Sequence, residues 1–124
     1  MKLTGAFLAE YATAADGKLN VEGGLLRNFP VGYDRVVRAT LVILADFLAS
    51  DAAPTVTVEL ITPSGDSQTT RVDVPHTAPG DTPYGEPGFA LWPLWIPAET
   101  DGEYQLVVSA DEGSVRLRFN VRGA

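Results

Sequence analysis

The sequence predicts an all-β, antiparallel fold, and three observations predict it. Apolar residues recur with period two, clusters of Gly, Pro and Asp punctuate the chain, and no segment offers a crossover helix. Eight strands are expected, near residues 3–12, 18–27, 35–47, 54–62, 67–74, 87–96, 103–110 and 114–122. Seven connections without a helix leave an antiparallel sandwich or a small barrel.

In the first strand Leu3, Phe7 and Tyr11 alternate with Thr4 and Glu10. Lys2, the run Leu3 to Ala9 and Ala12-Thr13-Ala14 imitate a secretory signal. Gly5 interrupts that run and Glu10 precedes the would-be cleavage site, so the strand reading prevails. Asp16-Gly17 supplies a hairpin turn into the second strand. The third strand carries Val37, Ala39, Leu41, Ile43 and Phe47 on one face and Val36, Val42 and Leu44 on the other. Two apolar faces predict a central strand or one lying under a partner. Leu41, Leu44, Phe47 and Leu48 also have helical spacing. The β-branched run through Val36, Val37, Val42 and Ile43 confines any helix to one turn over Phe47–Ala52.

Ser64-Gly65-Asp66 joins the fourth and fifth strands, and Asp111-Glu112-Gly113 joins the last two. In that closing hairpin Tyr104, Leu106 and Val108 share a face, as do Val115, Leu117, Phe119 and Val121, opposite Arg116, Arg118 and Arg122. Leu106 is therefore expected to meet Leu117 or Phe119 across the ladder, not Arg118. The arginine strip is read as cross-strand pairing with Glu103 and as blunting of an edge strand, with an acidic partner surface as the alternative.

Gly102 stands two residues before Tyr104, and Leu106 two after. This spacing resembles the tyrosine corner of immunoglobulin-like sandwiches, in which the ring enters the core and the hydroxyl bonds to backbone a few residues upstream. It favours a sandwich over a barrel. Leu106 occupies the place where antibody domains carry a cysteine, so packing replaces their disulfide.

The 124 residues carry nine basic and sixteen acidic side chains, a net charge of −7, and no cysteine. One domain over 1–124 is expected, with a core large enough to need no staples. Disulfides and thiolate metal sites are excluded, and a reducing, cytoplasmic setting is expected. The acidic balance opposes binding to nucleic acid or anionic membranes. No run approaches the roughly 20 apolar residues of a membrane-spanning helix.

Phe7-Leu8-Ala9-Glu10-Tyr11-Ala12, Asp16-Gly17-Lys18-Leu19-Asn20-Val21-Glu22-Gly23-Gly24, and Gly102-Glu103-Tyr104 with the closing strand are turn and core motifs. In them the chain resembles an uncharacterised family of short bacterial proteins, a domain of unknown function, over its first quarter and last fifth. The resemblance implies a sandwich and assigns no activity.

Strand parity places connections one, three, five and seven of an antiparallel fold at one end. That end would gather Asp16, Asp46, Asp51, Asp81, Glu86, Asp111 and Glu112, with Asp34, Asp66, Glu99 and Asp101 at the other. Such a rim would suit calcium, but Asp is also the ordinary turn former and no loop carries closely spaced Asp pairs, so no metal ligand is assigned.

The segment Pro75–Pro97 holds six of the nine prolines, both tryptophans, Tyr84, Phe89 and the lone His76. Trp92, Leu94 and Ile96 alternate as core residues, which turns Phe89, Leu91 and Trp95 to the opposite face. Core packing or loop cover is one reading, a subunit interface another, and a small-molecule platform the third. His76 lacks a nucleophile or an orienting carboxylate, so no catalytic residue and no cofactor is assigned.

The sequence thus predicts a non-catalytic interaction or assembly module that self-associates as a homodimer. The alternative is a small-ligand or carbohydrate-binding sandwich using the 75–97 region. His76, Tyr84, Phe89, Leu91, Trp92 and Trp95 are the candidate ligand-binding or interface residues.

Overall fold

A computed structural model describes residues 1–47, 55–74 and 86–123. Nine strands build two sheets: β1 (Lys2–Ala15), β2 (Lys18–Gly24), β3 (Asn28–Val31), β4 (Val36–Phe47), β5 (Thr55–Ile61), β6 (Ser67–Asp73), β7 (Glu86–Pro97), β8 (Gly102–Ser109) and β9 (Ser114–Gly123). One sheet runs β2-β1-β4-β7 and the other β3-β9-β8-β5-β6. Among the described residues there is no helix. The single turn expected over Phe47–Ala52 begins on a residue of β4 and otherwise lies outside them.

The sandwich interior is filled by alternate residues of both sheets. Leu41, Ile43, Val56, Val108, Tyr104 and Phe119 are almost wholly buried, each such side chain contributing about 1.5–3 kcal/mol by leaving water. Strand β4 is central, paired with β7 along its whole length and with β1 from Thr40 to Asp46. Asp16 and Gly17 both adopt positive φ, 53° and 71°, as the two-residue turn between Ala15 and Lys18 requires.

Leu106 faces Leu117 directly, Tyr104 faces Phe119, and Gln105 faces Arg118, so the last hairpin has the expected register. Its turn depends on Gly113, at φ 102°, where a Cβ would stand 2.7 Å from the Leu3 carbonyl oxygen. Tyr104 is 2% exposed, stacks on Phe119 at 5.5 Å between centroids, and donates its hydroxyl to the Thr100 carbonyl at 2.8 Å. This is the upstream backbone bond that the Gly-x-Tyr-x-Leu spacing predicts.

Three expectations need correction. There are nine strands, not eight: the second strand stops at Gly24, and the stretch expected as a connection between residues 27 and 35 contains β3, which pairs parallel with β9. Four residues are too few to display a period. Pro30, lacking an N–H, is tolerated there because β3 is an edge strand. Yet Phe29 and Val31 point inward, and Phe29 meets Phe119 edge to face at 5.4 Å. Second, β9 is consequently not a sheet edge, and its arginines do not serve to blunt one. Arg118 pairs with Glu103 at 3.6 Å and Arg116 bonds Gln105, as the cross-strand reading expects. Third, the added strand changes the parity of the loops. Asp16 therefore lies at the end that carries Asp34, Asp66, Glu99 and Asp101, while Asp46, Asp111 and Glu112 stay at the other. Asp51 and Asp81 lie outside the described residues.

Candidate functional site

The ladder between β4 and β7 sets which face each candidate occupies. Phe89 opposes Leu44, Leu91 opposes Val42 and Trp95 opposes Arg38, all turned away from the sandwich interior. Trp92 opposes Leu41 and turns inward. The structure therefore turns Phe89 and Leu91 to one face of the strand and Trp92 to the other, while Trp95 also borders the groove beside Trp92. His76 and Tyr84 lie outside the described residues.

On the outer face, the register of β1 with β4 adds Phe7 beside Val42 and Gly5 beside Leu44. Two apolar rows thus cross three strands, Phe7–Val42–Leu91 and Gly5–Leu44–Phe89. Val42 is 0% exposed, whereas Phe7, Leu44, Phe89 and Leu91 are half-buried. The patch is flanked by Tyr11, 57% exposed on β1, and by Trp95, 75% exposed on β7. Sequence reasoning reached Val42, Leu44, Phe89, Leu91 and Trp95 through period two. It missed that Phe7 joins them, because only the pairing partner of Val42 reveals it.

Electrostatics orient the Trp95 end. Asp34 accepts from Arg38 at 2.7 Å, and the Arg38 guanidinium lies 5.6 Å from the Trp95 ring centroid. The Arg38 bond, helped by the Val36 N–H, holds the Asp34 carboxyl below the usual carboxylate range. Nearby, Arg35 adopts φ 52°, donates to the Ala98 carbonyl at 2.9 Å and to Asp101 at 2.8 Å, while Asp101 also accepts from the Gly123 N–H. The Arg35 bond lowers the Asp101 pKa in the same way. One side chain thereby ties together the β3–β4 turn, the β7–β8 connection and the end of β9.

The inward Trp92 lies on a groove of about 330 Å³ between β7 and β6, the edge strands of the two sheets on that side. Val58, Leu60, Leu94, Ile96 and Leu106 line it with Gln68 and Thr70. Among the described residues, no group of three or more His, Asp or Glu side chains is arranged to hold a metal ion. No helix among them is long and apolar enough to cross a membrane. No protein-family model matches this sequence and no curated protein matches it significantly, so the reading of function rests on these two surfaces.

Proposed function

We propose that this protein is a non-catalytic interaction or assembly module that pairs with a second copy of itself through the outer face of its four-stranded sheet. The observation that carries the reading is the pair of apolar rows, Phe7–Val42–Leu91 and Gly5–Leu44–Phe89, flanked by Tyr11 and Trp95. A continuous apolar face flanked by exposed aromatics is what a protein–protein contact requires and what a solvated sheet face avoids. A two-fold pairing uses the same patch twice and closes, so no further surface is needed.

Its scaffold is read as immunoglobulin-like. In support, β1-β4-β7 follow the order A-B-E of that architecture and β5-β8-β9 the order C-F-G, with the tyrosine near the start of the strand corresponding to F. A cysteine-free acidic chain suits the reducing cytoplasm of a bacterium.

The test is the mass in solution. Light scattering at micromolar concentration should return twice the 13.2 kDa of the chain, with an interface of at least about 1,000 Å². A monomeric mass up to the highest soluble concentration would overturn the assembly reading.

A further inference from the structure

The groove on the other face of β7 points to a second activity, independent of the first. We propose that the cleft between β6 and β7 binds a small amphipathic cation: an alkyl or aryl body carrying an ammonium or guanidinium head.

Among the described residues the sandwich is open along this side. Strand β6 ends one sheet and β7 ends the other, and the described residues place no strand across the gap. Its floor is part of the core itself. Val58, Leu94, Ile96 and Leu106 are buried beneath it, while Trp92 and Leu60 stay half-buried and present apolar surface to the opening. An aliphatic or aromatic group entering here removes that surface from water with little rearrangement, because the walls are already ordered strands.

Toward the Tyr104 end a second cavity of about 300 Å³ adjoins the first, and the two share Leu60, Gln68 and Pro97. Together they reach the volume of a small-ligand site. The second cavity changes character: Thr62, Ser64 and Thr100 offer hydroxyls, and Asp66 and Glu99 offer carboxylates. Among the described residues no Lys, Arg or His lines either part. The Asp66 carboxylate is oriented by the turn that carries it, since Ser64 donates to its Oδ2 at 3.2 Å and Thr62 bonds Ser64 at 2.9 Å. Its other oxygen is left for a ligand. Glu99 has no ion-pair partner among the described residues.

An apolar trough ending in two carboxylates, on a protein of net charge −7, is complementary to a cation with an apolar tail. It disfavours an anion at every point.

Trp92 and Trp95 both line the groove, so the tryptophan emission of the unaltered protein is the reporter. The protein is titrated at constant ionic strength with n-octylamine, n-octanol and n-octanoate, which share one tail and differ in head charge. The expected result is saturable change in tryptophan emission, with octylamine binding at least about fivefold tighter than octanol and octanoate weakest. The double variant D66N/E99Q should bring octylamine down to the level of octanol. Glu112→Gln, which removes a carboxylate from the opposite end, should leave octylamine binding unchanged. Equal binding of octylamine and octanol, no saturable binding of either, or an equal loss with Glu112→Gln would each overturn the proposal. Apart from Trp95 the two surfaces use different residues, so a monomeric protein that binds octylamine, or a dimer that does not, separates the two readings.

Discussion

The two sheets of this molecule turn very different outer faces to their surroundings, although both are twisted ladders over the same core. On the five-stranded sheet the cross-strand rows read Thr69–Glu59–Val107–Arg116 and Ser67–Ile61–Gln105–Arg118, with Glu103 diagonal to Arg118. Each apolar residue in those rows has polar neighbours, Arg118 pairs with Glu103, and Arg116 bonds Gln105. On the four-stranded sheet the corresponding rows are Phe7–Val42–Leu91 and Gly5–Leu44–Phe89, uninterrupted by a charge. On the proposed reading the first face works against water and the second, where Phe7, Leu44, Phe89 and Leu91 stay half-buried, works against a second copy. A sheet face therefore records whether it works against water or against a partner.

The comparison breaks most visibly by placing the same charge on each face. Leu91→Glu should abolish self-association and leave a 13.2 kDa species by light scattering, because the buried carboxylate would have no partner. Val107→Glu, on the five-stranded sheet, should leave the oligomer intact. If both variants behave alike, the two faces are not functionally distinct.

A smaller effect sharpens the same contrast through stability. Val42 is fully buried on the outer face, so Val42→Ala should cost about 2 kcal/mol in denaturant unfolding. Val107→Ala is expected to stay within about 0.5 kcal/mol. The interior supplies the next reference. Tyr104→Phe keeps the ring stacked on Phe119 but leaves the Thr100 carbonyl without its donor, and should cost about 1 kcal/mol. That loss should be equal at low and high protein concentration, unlike the loss at Val42.

Acid tests the charged end of the apolar face. Asp34 and Asp101 have folded pKa values below their ordinary 3.8, so their pairing with Arg38 and Arg35 stabilises the fold at all pH above that value. The contribution is lost as the pH falls through the lowered values. Thermal midpoints should decline below about pH 3.8, and an Asp34→Asn/Asp101→Asn variant should show a shallower decline. Least of all should follow from Arg118→Ala on the polar face, below about 0.5 kcal/mol, since its pair with Glu103 is exposed.

Alternation along the chain and its turn signals were sufficient for eight of the nine strands, because side-chain direction in a strand is a local property with a period of two. For the same reason Leu106 could be set against Leu117, and Phe89, Leu91 and Trp95 on one face of β7. The tyrosine bond was legible because its partner lies only four residues away. What stayed hidden required strands distant in sequence. Strand β3 has four residues and gains its identity from β9, more than eighty positions later. Phe7 joins Leu91 only through β4 lying between them. Among the described residues, the groove at Trp92 lies where β6 and β7, consecutive in the chain, form the edges of different sheets on one side of the core. Local pattern determines which way a side chain points; only the packing of sheets decides what it meets there, because that depends on pairings no short window contains.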